Sequence, residues 1–317
     1  MRFDERDSVF AREEIFPGMK EYDSYYASHP ELKEIDDKIR SLPGFGSNIP
    51  PEDKGMILSP IKMMYKIGSP DSVDGKPSDQ IIKMSPEKAV LKIKAYAKLL
   101  GADLTGVSKM KEEFIYSHRG RIKYPDEKWG DEISNSHEFA ISMGFGMDVD
   151  LIKTSPAHAE SIGTMTAYLR SAVTSVILAE YIRSLGYPAR AHHFRNYQVM
   201  LVPLAIEAGL GELGRCGFII SRKFGNCFRL SAVSTDLPLI CDEPVDIGVQ
   251  EFCEMCKLCA DSCPTKAIPF GEKVESRGAV KWKINETKCI TFWNAIGTDC
   301  GICIGSCPWS LKDSWYH

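Results

Sequence analysis

Polar residues and turn formers dominate the start of the chain. Pro43, Gly44, Gly46, Pro50 and Pro51 punctuate it, and one short helix is expected over 30–40. Residues 1–84 are therefore expected to be an irregular wrap on a core. A regular apolar period begins at Ser85, an N-cap residue followed by Pro86. Apolar positions then recur at Val90, Ile93, Tyr96, Ala97 and Leu100, and Gly101 is a stop signal, which predicts a helix. Strands are expected over 102–107 and over 139–143, the latter running into Gly144 and Gly146. Residues 159–185 form the longest periodic segment, apolar on most faces and closed by Gly186 and Pro188, so this helix should be central. Further strands are expected over 199–204 and 228–233, the second alternating Phe228, Leu230 and Ala232 with Arg229, Ser231 and Val233. Alternating helices and strands predict an α/β layered core over 85–248. From Val249 the pattern breaks into cysteine-punctuated turns, which marks a separate domain over 249–317.

A chain of 317 residues that is 44% hydrophobic, with net charge -4, has material for a large core. It has no basic block of the kind that neutralises phosphates, so a small molecule is expected as partner rather than nucleic acid. The apolar run at 172–179 is soon broken by Glu180 and Arg183, and no membrane-spanning segment is expected. The N-terminus MRFDERDSVF carries neither a secretory nor a twin-arginine signal. A cytoplasmic location is expected, although an exported fragment cut from its signal would read the same way.

Cysteine changes the picture. All eleven cysteines lie at or beyond Cys216. Cys253, Cys256, Cys259 and Cys263 have the spacing C-x2-C-x2-C-x3-C followed by Pro264, the bacterial ferredoxin run. Cys300, Cys303 and Cys307, followed by Pro308, repeat much of it, and Cys289 lies upstream. Eight cysteines make two 4Fe–4S clusters. The crossed ligation of two-cluster ferredoxins assigns Cys253, Cys256, Cys259 and Cys307 to one, and Cys263, Cys289, Cys300 and Cys303 to the other. Zinc is the alternative ligand for paired cysteines, but three consecutive short spacings with two Cys-Pro endings favour clusters. The remaining Cys216, Cys227 and Cys241 are expected to be small buried hydrophobes.

Two clusters in series move single electrons, so the larger domain should hold an electron acceptor. Gly209, Gly211 and Gly214 fit G-x-G-x-x-G, with Asp236 downstream. Their surroundings, however, are not the strand-then-helix context of a dinucleotide fingerprint. They are expected instead to let backbone approach a bulky ligand. On the long helix Tyr168, Ala172, Ser175 and Ala179 share one small face, which either packs closely on another element or leaves room for a broad cofactor beside the tyrosine.

The strings AGLGELGR, VSTDLPL, EFCEMCKLCADSCPTKAI, VKWKINETKCITFW and DCGICIGSCPWS resemble, in that order and spacing, the cobalamin-dependent reductive dehalogenase family. FDERDSVFAREEIFPG, YYASHPELKEIDDKIRSLPG, LLGADLTGV and AEYIRSLGYPA extend the resemblance along the chain. It implies a nitroreductase-like core that binds base-off cobalamin, a C-terminal ferredoxin-like domain with two clusters, an organohalide substrate and an external low-potential electron donor. It also places the proton-donating tyrosine on Tyr168 and its partners on Arg229 and Asn196. A guanidinium would favour the tyrosinate left after proton transfer. The segment AHHFRNYQVM is bulkier and more basic than the family pattern, and His192 or His193 becomes a candidate cobalt ligand or cofactor contact. Two other readings remain open. One is an epoxyqueuosine reductase-like enzyme acting on transfer RNA, which needs an RNA-binding surface that the sequence does not suggest. The other is a non-catalytic iron–sulfur electron carrier.

Overall fold

A computed structural model describes residues 2–122 and 128–311, so 312–317, the end of the expected cluster domain, lie outside it. The N-terminal region is helical rather than irregular: α1 (Val9–Arg12), α2 (Lys20–Ser28), α3 (Pro30–Arg40), α4 (Pro51–Ile67) and α5 (Pro70–Val73). Helix α3 is the one expected over 30–40; the buried positions of the region are partly polar, and this hides the other helices from a hydrophobic-period reading. Tyr22, Tyr25 and Tyr26 pack together while their hydroxyls donate to Asp37, Asp7 and Asp36, and Arg12 pairs with Asp36 at 2.8 Å.

Helix α6 (Pro86–Leu99) starts as its sequence dictates, with the Ser85 hydroxyl accepting from the Lys88 amide, and the chain leaves it through Gly101 at φ +104°. Next come β1 (Leu104–Lys109), β2 (Phe139–Gly146), α7 (Val149–Lys153) and the 27-residue α8 (His158–Ser184). Beyond them lie β3 (Ala189–His192), α9 (Leu201–Glu207), β4 (Glu212–Leu213), β5 (Ile219–Ile220) and β6 (Phe228–Thr235). The expected strand at 199–204 is instead the start of α9. Pro203 sits in its first turn, where no intrahelical N–H is required, and only Val199 pairs as strand, with Ile115.

The main sheet has the order β1-β2-β6-β3, every pair antiparallel. On one face Ile141, Met143 and Val233 pack against Ala89, Ile93 and Ala97 of α6 and against Leu178 and Ile182 of α8. On the other, Phe228 and Leu230 meet Ala205 of α9. Helix α8 is long and apolar enough to cross a membrane by length and composition, but here it lies on the sheet and is also covered by α4 through Ile57, Met64, Met165 and Ala172. The C-terminal part contains α10 (Val249–Cys256), α11 (Leu258–Ser262), the hairpin β7 (Val274–Ser276) and β8 (Ala279–Lys281), α12 (Glu286–Ile296) and α13 (Ile302–Gly305). These short helices carry Cys253, Cys256, Cys259, Cys289 and Cys303. The whole is a mixed α/β core with a C-terminal cysteine-rich domain.

Candidate active site

Helix α8 carries Glu160, Thr164 and Tyr168 at four-residue spacing, so the three rise along one face. β6 supplies Arg229 opposite them. Arg229 Nη2 donates to Thr164 Oγ1 at 3.1 Å, and Thr164 Oγ1 donates to Glu160 Oε1 at 2.8 Å. The guanidinium carbon lies 5.2 Å from the centre of the Tyr168 ring, within reach of a cation–π interaction. Phe194 stacks on Tyr168 at 4.1 Å and 13° between planes. Buried Asp299, just ahead of Cys300, is held by its own amide, which donates to Ser161 Oγ at 3.3 Å. Tyr168 and Arg229 therefore come together from distant parts of the sequence.

The electrostatics follow from burial. Burial raises the Tyr168 phenol above its usual range, and the opposing pull of Arg229 does not offset it, so the phenol stays protonated at neutral pH. Glu160 is pushed up to about 8, first by burial and then by Asp299. Asp299 is raised by burial as well. Burial works against the charge of Arg229, but Tyr168, Asp299 and Glu160 together outweigh it, and the guanidinium remains cationic. Among the described residues Arg229 Nε, Glu160 Oε2 and Ser231 Oγ are buried with no hydrogen-bond partner. Orphaned polar atoms beside a protonated phenol fit a polar group bound there.

Asn196 is placed elsewhere. Its Oδ1 accepts from Arg119 at 3.0 Å and from Arg190 at 2.9 Å, and its Nδ2 donates to the Gly68 carbonyl at 2.9 Å, so the amide ties these three segments together. His192 pairs with Ala232 and so shares its side of the sheet, opposite to Arg229. Its Nε2 contacts Ser234 Oγ at 2.9 Å and its Nδ1 accepts from the Gln198 amide at 3.2 Å, leaving no lone pair for a cofactor. His193 is fully buried beside Gly68, and burial with Arg190 and Arg195 nearby depresses it to about 3. The two histidines are core residues. The glycines also differ from expectation, because protein already fills the space a ligand would need. A Cβ on Gly209 would stand 2.5 Å from the Glu243 carbonyl oxygen, one on Gly211 2.1 Å from that of Ile220, and one on Gly214 2.6 Å from Ile220 Cδ1. Gly209 and Gly211 allow backbone to approach backbone, and Gly214 makes room for the Ile220 side chain.

Cys253, Cys256, Cys259 and Cys307 line one cavity, together with Arg215 and Cys216. Cys263, Cys289 and Cys303 pack with Ala260 and Ala267 in a second neighbourhood that Cys259 and Cys216 border as well, and the Cys300 thiol is close enough to feel Cys289 and Cys263. Among the described residues no three His, Cys, Asp or Glu side chains converge closely enough to hold a single metal ion. Thiols arranged around open space suit a cubane better than tetrahedral zinc. Cys216 is buried as expected but is not isolated: its thiol contacts Cys259 and accepts from Asn226 Nδ2 at 3.2 Å. The cysteine domain reaches the tyrosine's helix at Gly301, where a Cβ would stand 2.7 Å from Glu160 Cγ. Glu160, Thr164, Asp299 and Arg215 were not singled out from sequence, and Cys216 was read only as a small buried hydrophobe. The i, i+4, i+8 spacing of Glu160, Thr164 and Tyr168 was the signal available.

Residues 252–311 match the family model described as a 4Fe-4S dicluster domain. The tetrachloroethene reductive dehalogenase of Sulfurospirillum multivorans is 32% identical over 283 residues, 80% of this chain and 56% of that protein. This chain is a reductive dehalogenase homologue. A solved structure of the catabolic reductive dehalogenase NpRdhA in complex with 3-bromo-4-hydroxybenzoic acid superposes with a TM-score of 0.78 at 26% identity, covering 99% of this chain and 42% of that one. A second, titled as a reductive dehalogenase whose structure suggests a mechanism for B12-dependent dehalogenation, gives 0.77 at 25% identity over 99% of this chain and 42% of that one. The homologue thus spans about half the length of the dehalogenases it matches.

Proposed function

We propose that this homologue catalyses reductive dehalogenation, in which an organohalide takes two electrons and one proton and yields the hydrogenated product and a halide ion. The reading divides the chain into an N-terminal wrap over 1–84, a corrinoid-binding core over 85–248 and a two-cluster domain over 249–317. Cys253, Cys256, Cys259 and Cys307 hold one 4Fe–4S cluster, and Cys263, Cys289, Cys300 and Cys303 hold the second. A base-off cobalamin bound against Tyr168 would supply the low-valent cobalt at which the carbon–halogen bond is reduced. Tyr168 gives the proton. Arg229 neutralises the tyrosinate, and Thr164 and Glu160 hold Arg229 in place. Asn196 has no part in this reading, because its amide is committed to Arg119, Arg190 and Gly68.

One observation carries the proposal: a buried phenol, kept protonated yet lying against a guanidinium, sits on the helix that the cysteine domain touches at Gly301. That contact supports a path in which the cluster held by Cys300 and Cys303 is the one nearer the tyrosine. An external low-potential donor would then feed the cluster at Cys253 first. The test is halide release from a panel of organohalides by anaerobic protein with a reduced viologen donor. Halide and hydrogenated product in equal amounts are expected, and protein that is fully loaded with iron and cobalt yet releases no halide from any of them would overturn the proposal.

A further inference from the structure

Arg215 is a charged side chain that the proposed reaction does not use. It lies in the loop between β4 and β5 and is 2% exposed. Its Nε donates to the Cys253 carbonyl at 2.8 Å, and its Nη1 donates to the carbonyls of Pro269 at 2.8 Å and Gly271 at 3.0 Å. Nη2 reaches the Glu254 carbonyl at 3.5 Å, and the guanidinium carbon lies 4.5 Å from the centre of the Trp282 ring. All these acceptors are main-chain carbonyls. The nearby Glu254 carboxylate pairs with Lys273 instead, at 3.2 Å, and Glu212 accepts from the amides of Ile247 and Val249.

A buried cation without a counter-anion is costly, and carbonyl dipoles and an aromatic face compensate it only in part. Arg215 lines the cavity ringed by Cys253, Cys256, Cys259 and Cys307. A cubane held by four thiolates is anionic and gains one further negative charge on reduction, so a fixed cation beside it favours the reduced form. The second set of cysteines has carboxyl groups beside it instead. Asp299 adjoins Cys300, and Glu160 packs against Gly301.

We propose that Arg215 raises the reduction potential of the cluster at Cys253, Cys256, Cys259 and Cys307 above that of the other cluster, making it the first to be reduced. The inference rests on the ligand assignment of the proposed function. It gives the core domain a direct hold on the electron entry point, because one guanidinium both fastens α10 and sets the charge its cluster experiences. Arg215 acts here as a positioning and electrostatic residue that touches no substrate.

The experiment is an anaerobic redox titration of holoenzyme followed by electron paramagnetic resonance, on wild type, Arg215→Gln and Arg215→Lys. Iron content of the wild type, about eight per chain for two cubanes, tests the presence of both clusters separately. In fully loaded Arg215→Gln one cluster is expected to move to a more negative midpoint while the other stays, and Arg215→Lys should recover most of the change. Unchanged midpoints, or equal shifts of both clusters, would overturn the inference. If Arg215→Gln fails to retain its iron, Trp282→Glu gives the same test, since a carboxylate beside the intact guanidinium should produce the same one-cluster negative shift. No shift there would overturn the inference as well.

Discussion

Tyr168 can serve as an acid at neutral pH only while it keeps its proton, and burial ensures that. Once the proton leaves, Arg229 is the cation within reach of the phenolate. Tyr168→Phe should therefore lower dehalogenation by about 10²–10⁴-fold, the usual worth of a positioned acid, with iron and cobalt content unchanged. Activity within tenfold of wild type would remove the tyrosine from the mechanism. Glu160 carries a second prediction. The unfolded chain releases this proton near pH 4.5, while the folded chain holds it to about pH 8, so stability falls as pH rises through that interval. Glu160→Gln removes this penalty: the variant should melt at the same temperature as wild type near pH 4 and at a higher one at pH 9, as thermal scans at the two pH values would show. At this scale the sequence revealed the tyrosine and arginine only through a family likeness. Asn196 and His192 misled because a polar residue's neighbours depend on which side of a strand or turn it leaves, and a one-residue change reverses that side.

The elements that could be read from the sequence were those with strong local signals. Ser85, Pro86 and Gly101 bracket α6, and the long apolar period of α8 ends at Gly186 and Pro188. The elements that were missed have a buried face made of tyrosines, as in α2, or a proline tolerated in a first turn, as in α9, whereas α3 lies over 30–40 as expected. Gly209 was read as making room for a ligand, but its φ of +72° and the nearby Glu243 carbonyl make it a structural turn. Gly209→Ala should cost about 1–3 kcal/mol, seen as a lower melting temperature, with no specific loss of cobalt. The two-residue turn between His193 and Asn196 lays Phe194 on Tyr168. Phe194→Ala should open that face and raise kcat/KM for bulky halides over small ones by about tenfold or more. Equal kcat/KM ratios in variant and wild type would show that the ring does not limit the site.

For the whole molecule, the cysteine spacing was the most legible feature. A cubane's ligands are dictated by short-range geometry that survives in sequence, whereas a corrinoid site is assembled from several distant segments that spacing does not reveal. The account makes the molecule a path for electrons, from the Arg215 end of the cysteine domain through Gly301 to the Tyr168 helix. The decisive question is whether one chain holds both kinds of redox centre. Iron and cobalt should be measured in protein produced anaerobically with cobalamin supplied. About eight irons and one cobalt per chain are expected for two cubanes and one corrinoid. Eight irons without cobalt would contradict the account and leave an iron–sulfur electron carrier in its place.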